Sequence, residues 1–427
     1  MTSFRRLRES GAVKLSLVNI DESHNNPPHD AEYLDTPVAV SRWMSSIGGS
    51  KLVAVDTEGA SFHRFVDRIY LLQISTREKT AVIDPLPIGI PTELGAFVED
   101  PAVEIVFHDA DYDLRLLQQD YGWQIRNVFD TRVAAQLMGI RAFGLAALLE
   151  RYFGLKLDKK HQRADWSMRP LTKDMLDYAA LDTMYLPDLR DRLKVALEGA
   201  GRWTWAREEF TRLEGTRWEP DDDGTAFLRM KGARDLNRRE LAVLRELVLW
   251  RNAVAAEHDR ATFRIIGNEP LFEIVKTQPR DKATLGAIKG MPRGILESRA
   301  PAIIEAIERG LGVPESDLPR FPRAPRWDRD PDFDTRVNAL KTVRDGIAEK
   351  LDLDTGVLCA RDRMEAVARA KPETRDDFDR IPELRRWQVE LLAPGFLHAL
   401  KRHSGGEKKL DPATTVPKSD GRSPYKE

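Results

Sequence analysis

Four short apolar runs stand out in the first half of the chain: Leu52–Val55, Tyr70–Ile74, Thr80–Ile83 and Glu104–Phe107. Each has the length of a strand and is rich in β-branched or aromatic residues, which suits a buried sheet. Stretches with helical spacing of apolar residues lie at 111–120, 130–138, 144–152 and 172–196. Strands clustered first and helices after them predict an α/β domain with a mixed sheet and flanking helices over residues 33–215. Residues 1–32 are polar, contain Asn25-Asn26-Pro27-Pro28, and predict a mobile arm. Residues 216–235 carry Pro220, Asp221 to Asp223 and Gly224, the chemistry of a linker. From there the apolar spacing is helical only, over 236–312 and again over 333–403. Between these blocks, residues 313–332 hold Pro314, Pro319, Pro322, Pro325 and Pro331, and residues 404–427 have no periodicity and predict a disordered tail.

The two helical blocks repeat one another. A shift of 93 positions lays Leu247 on Leu340, Leu271 on Met364, Ile274 on Val367 and Ile304 on Leu397 without a gap. Coincidence among apolar residues alone carries little weight, because they are common. The same register also lays Pro279 on Pro372 and Pro301 on Pro394, so the blocks read as a tandem duplication of one small helical module.

Composition narrows the class. The chain has 427 residues, enough for two to four domains with cores of their own. No apolar run approaches the ~18–20 residues of a membrane helix. The N-terminus has Arg5, Arg6 and Arg8 but no apolar segment with a small-residue cleavage site, so it does not read as a secretory signal. One cysteine, Cys359, excludes an internal disulfide and a cysteine-based zinc site. These features predict a cytoplasmic protein with no membrane partner. A net charge of −2 neither suggests nor excludes nucleic acid, since a carboxylate-rich site can mask basic patches in the total.

The candidate chemistry is carboxylate chemistry. Asp56 and Glu58 follow the run Leu52–Val55, and alternate strand residues point to one side of a sheet. Tyr178 and Asp182 are four apart, on one face of a predicted helix. Asp113 opens the helix that follows Glu104–Phe107, where an acid also serves the helix N-terminus. Singly, each is as well read as a solvated strand end, an amphipathic helix or a helix-end acid. Jointly, three segments deliver four acids, and hard divalent ions take such oxygen ligands. With no cysteine cluster and no histidine pair, Mg²⁺ or Mn²⁺ fits better than zinc.

The segments Val55-Asp56-Thr57-Glu58, Phe107-His108-Asp109-Ala110-Asp111-Tyr112-Asp113-Leu114 and Tyr178-Ala179-Ala180-Leu181-Asp182 resemble the three motifs of the DEDD exonuclease superfamily. Tyrosine four residues before the last aspartate marks its tyrosine subclass, and Asp177 stands where the histidine subclass has its histidine. The stretch 157–171, from Leu157-Asp158-Lys159-Lys160-His161 to Arg169-Pro170-Leu171, resembles the ribonuclease D branch, including its exosome-associated relatives. The segment Leu271–Gly290 resembles the HRDC domain, a small helical nucleic-acid-binding unit. In the second block Ile381-Pro382-Glu383-Leu384 replaces the glycine-containing turn, which puts phosphate binding there in doubt.

This resemblance implies a ribonuclease H-like 3′–5′ exonuclease domain followed by two HRDC-like domains. It implies hydrolysis of RNA 3′ ends, of transfer RNA precursors or other structured RNA, with two divalent ions, Mg²⁺ or Mn²⁺. Asp56, Glu58, Asp113 and Asp182 would hold the ions and Tyr178 would orient the attacking water. Thr57, Gln73 and His108 become candidates for the terminal nucleotide, and Lys159, Lys160, Arg163 and Arg169 for the RNA backbone. Trp166 reads as core. The rivals are a DNA exonuclease on the same fold and a non-catalytic nucleic-acid-binding scaffold. All the implied metal ligands precede residue 183, so the sequence predicts that chain lacking 213–427 retains catalysis.

Overall fold

The computed structural model describes residues 30–157, 160–220, 224–322 and 330–404. The chain divides near residue 326 into two compact units.

The first unit opens with a six-stranded sheet, β1 (Ala31–Leu34), β2 (Leu52–Glu58), β3 (Leu71–Ser75), β4 (Thr80–Ile83), β5 (Glu104–Phe107) and β6 (Val128–Asp130). Spatial order is β1-β4-β3-β2-β5-β6. Only β3 runs antiparallel to its neighbours; β1 with β4, and β2 with β5 and β6, are parallel. The short chain between β3 and β4 forces that pair antiparallel, whereas parallel neighbours need a crossover. This is the expected mixed sheet, with two strands more than the apolar runs predict. β1 starts at Ala31, so the last residues assigned to the arm form an edge strand; residues 1–29 lie outside the described residues. β6 has only three residues, too short for a periodic signal, yet all three are buried.

The helix predicted over 172–196 is two helices, Lys173–Met184 and Leu186–Gly199. Pro187 lacks the N–H that would continue the first ladder and suits the start of the second. Lys173–Met184 packs across β1 to β4. A buried hydroxyl contact from Thr183 to Ser75 on β3, at 2.7 Å, pins it there.

The two helical modules share the 93-residue register down to the backbone. Thr262–Ile265, Asn268–Thr277 and the start of Arg293–Gly312 reappear as Thr355–Leu358, Arg361–Ala370 and the start of Arg386–Ser404. Positive-φ residues also correspond, Asp259 with Asp352 and Gln278 with Lys371. In the first module Gly310 meets helix Arg238–Glu257 so closely that a Cβ would lie 2.5 Å from the Val243 Cα. The second copy has a 3₁₀ turn, Asp376–Arg380, where the first has the helix Lys282–Gly286.

Both segments expected to be linkers contribute to the first module. Phe227, Ala233 and Leu236 are buried in its core and Phe321 packs against it. Leu213, inside the expected exonuclease domain, belongs to the sheet's core, and beyond the expected boundary at 215 the Trp218 N–H donates to Gln118. A cut at 213 therefore removes part of that domain.

Candidate active site

Asp56 and Glu58 leave the same face of β2 near its end, beside Gln73 of β3, which stands directly across from Asp56. Helix Lys173–Met184 lies over this face and brings Asp182. One carboxylate oxygen from each of Asp56, Glu58 and Asp182 falls within 4.8 Å of the others. Asp113 comes from the far side of β2, on helix Asp111–Tyr121, and is buried. Its Oδ1 accepts from the Thr57 amide at 3.1 Å and the Thr57 hydroxyl at 2.5 Å, which leaves Oδ2 as the oxygen available to a ligand.

Burial and mutual repulsion dominate the electrostatics. Desolvation first, then the neighbouring carboxylates, hold Asp56, Glu58 and Asp113 well above the ordinary carboxylate range. Asp182 is pushed up to about 7 by burial and by Asp113. Anions gathered this way are unfavourable alone and become favourable around a cation. The donors are all oxygen, the preference of Mg²⁺ or Mn²⁺. The residues present therefore fit a hard divalent ion.

Tyr178 is one helical turn before Asp182. Burial, then Asp182, Glu58 and Asp56, raise its phenol above its ordinary value, so it stays protonated at neutral pH. Its ring is held by two neighbours. Trp166 lies 6.2 Å away at an interplanar angle of 29°, and His161 meets it edge-on at 5.8 Å. Trp166 is 2% exposed, which agrees with its reading as core. Beside this group a cavity of about 250 Å³ is lined by Leu157, Lys160, His161, Tyr178, Leu181 and Asp182, among others.

Several sequence expectations for RNA contacts change here. The Thr57 amide and hydroxyl both donate to Asp113, so neither proton is available to a nucleotide. Gln73 has no exposed surface beneath the helix, and its amide meets no hydrogen-bond partner among the described residues. His108 is tied to the Thr131 hydroxyl at 2.9 Å, and burial lowers its imidazole to about 4, so it carries no charge for a phosphate at neutral pH.

Arg169 is structural. Its guanidinium forks onto Asp84 at 2.5 and 2.8 Å and also donates to the carbonyls of Tyr70, Trp166 and Met168. Asp84 is 2% exposed, and Arg169→Met would leave it buried without its cation. The expected cost is about 3–5 kcal/mol of unfolding free energy by chemical denaturation, with RNA affinity of the folded fraction unchanged. Weaker RNA binding at unchanged stability would instead restore the phosphate-contact reading.

Of the other basic candidates, Lys160 lines the cavity beside Tyr178 and Asp182, and Arg163 is exposed. Lys160 is exposed and lies 3.5 Å from Asp174, and the Arg163 guanidinium sits 5.3 Å over the Phe62 ring. Lys159 lies outside the described residues. Sequence reasoning missed His161 and the loop 60–67, which reaches both the 161–167 segment and the first helical module. Neither has a spacing signal, because they approach Tyr178 only through the tertiary fold.

A family model described as 3′–5′ exonuclease matches residues 31–198, and one described as HRDC domain matches 240–307 and 334–400. Ribonuclease D of Granulibacter bethesdensis is 31% identical over 82% of this chain and 87% of that protein. The chain belongs to the ribonuclease D family. Ribonuclease D of Escherichia coli is 26% identical over 87% of this chain and 99% of its own length. The crystal structure of the E. coli enzyme, an exoribonuclease involved in structured RNA processing, shares the fold with a TM-score of 0.67 at 24% identity, covering 87% of this chain and 99% of that one. The enzyme is thus a hydrolase of the 3′–5′ exoribonuclease type, with two HRDC modules behind its nuclease domain. Among the described residues no helix is long and apolar enough to cross a membrane.

Proposed function

We propose that the enzyme trims structured RNA, transfer RNA precursors among them, from the 3′ end, releasing 5′-mononucleotides one at a time. The observation that carries this reading is the convergence of Asp56, Glu58 and Asp182 within 4.8 Å, with Tyr178 one turn from Asp182. Asp56, Glu58 and Asp182 would hold one divalent ion, and Asp56 with Asp113 a second. When bound, such a pair supplies an activated water and neutralises the leaving oxygen of an in-line displacement.

The chain's own residues do the rest. The Tyr178 hydroxyl, kept protonated, orients water by a hydrogen bond and does not act as a strong base. Trp166 and His161 fix the ring that carries it. Thr57 fixes the rotamer of Asp113. Lys160 and Arg163, at the rim, meet the backbone phosphates of the entering strand. The HRDC modules raise the local concentration of structured substrates.

The test uses one RNA with a 3′ extension, prepared with either a 3′-hydroxyl or a 3′-phosphate, and its DNA counterpart. The reading expects 5′-monophosphate nucleosides from the hydroxyl-ended RNA, a block by the 3′-phosphate, and slower turnover of DNA. Internal cleavage or 3′-phosphate products from purified enzyme would rule it out.

A further inference from the structure

Ligand order along the chain makes the first HRDC module look separable from catalysis. The contacts between it and the nuclease domain argue otherwise. After helix Arg238–Glu257 the chain turns through Asp259, at φ 44°, into the short helix Thr262–Ile265. This turn grips the loop 62–65 of the nuclease domain at several points. The Ala261 amide donates to the His63 carbonyl at 3.1 Å. Asp259 accepts from the Phe65 amide and from Arg64, each at 3.3 Å. Arg264 donates to the Phe62 carbonyl at 2.5 Å and lies 3.2 Å from His63 Nδ1. The Phe65 ring packs against the module's core.

The same loop residues face the other way onto the segment that holds Tyr178. Arg64 Nε donates to the Ser167 hydroxyl at 2.7 Å. His63 Nε2 is 3.1 Å from the Arg163 carbonyl, which can only accept. That bond places a ring proton on Nε2, and Nδ1 lies between the Arg264 guanidinium, at 3.2 Å, and the Asp165 carboxylate, at 3.4 Å. Ser167 in turn donates to Asp165. Between Asp165 and Ser167 stands Trp166, stacked on Tyr178.

We propose that the first HRDC module is a working part of the catalytic apparatus: Asp259 and Arg264 act as positioning residues that, through His63 and Arg64, hold Trp166 and so fix where the Tyr178 hydroxyl points. The proposal rests on the role given to Tyr178 above. The Arg64–Asp259 pair is partly solvent-exposed, and such pairs add little to stability. Its consequence falls on geometry, where a shift of about 1 Å far from the chemistry can cost up to roughly a hundredfold in rate.

The test is an Asp259→Gly/Arg264→Ala double variant of the full chain, with Mg²⁺, on a single-stranded RNA trinucleotide. Glycine accepts the positive φ of residue 259, so the backbone turn is retained. Turnover should fall at least about tenfold, with KM within about twofold and the melting temperature nearly unchanged. Asp259→Asn keeps an acceptor and tolerates the same φ, so it should lie nearer wild type than Asp259→Gly; this pair carries the test if the double variant fails to fold. In a Tyr178→Phe background the module variant should have little further effect, because the hydroxyl it positions is gone. Wild-type turnover by the module variants overturns the proposal. So does a rise in KM alone, which would make the module a binding unit only. If Tyr178→Phe itself turns over normally, the role of Tyr178 fails; if it is impaired while the module variants are not, only the relay fails.

Discussion

Asp56→Asn and Asp182→Asn should each lower turnover by roughly a thousandfold while the fold survives. The expected loss follows from the several kcal/mol of charge stabilisation that bound ions contribute to a phosphoryl displacement; about 4 kcal/mol is three decades of rate. RNA binding by Asp56→Asn should persist, because phosphate contacts at the rim do not depend on this carboxylate. Stability should move the opposite way from activity. The folded Asp182 titrates at about 7, against roughly 4 for a free aspartate. The folded state therefore holds this proton more tightly than the unfolded state. That contribution is fully present below about pH 4 and is lost as pH rises through 7, where Asp182 ionises against its burial and the neighbouring Asp113. Without metal, Asp182→Asn should melt several degrees above wild type at pH 8, with the gap shrinking towards pH 4. Adding Mg²⁺ should stabilise wild type and close the gap from the other side. Thermal melts at both pH values with and without Mg²⁺, run beside a turnover assay, check every part. A variant with near-normal turnover at saturating Mg²⁺ would remove its carboxylate from the site.

Tyr178→Phe should cost about tenfold to a hundredfold in the chemical step and leave RNA affinity nearly unchanged. Only the hydroxyl that orients water is removed; the ring, with Trp166 and His161 packed on it, remains. Single-turnover rates separate this from binding, since a residue acting in the transition state lowers kcat without raising KM. The pH–rate profile adds a second reading. The phenol is held above its ordinary value, so no limb from tyrosine ionisation should appear below about pH 10. A rate that rises through pH 9–10 in wild type but not in Tyr178→Phe would instead make a tyrosinate the base.

The parts of this protein that were legible in its sequence are those that local periodicity controls. The central strands, the 93-residue repeat and the Tyr178–Asp182 spacing on one helix each leave a mark within a few residues. The strands β1 and β6 left none: β6 has only three residues, and β1 is exposed at three of its four positions and so shows no apolar run. The break at Tyr185 was announced by Pro187, but the apolar spacing runs on through it. Basic residues misled in a different way. Arg169 and Arg163 look alike in the sequence, yet one is consumed by buried Asp84 and the other lies exposed over Phe62. Which arginine faces solvent depends on partners some 85 to 100 residues away, and no local pattern encodes them. The His63–Arg64 bridge was invisible for the same reason.

The most direct test is anomalous diffraction from crystals of the full chain soaked in Mn²⁺. Two peaks are expected about 3.5–4 Å apart, one among Asp56, Glu58 and Asp182 and one between Asp56 and Asp113. A carboxylate cluster with no peak, at a Mn²⁺ concentration that supports full RNA hydrolysis in solution, would contradict this expectation.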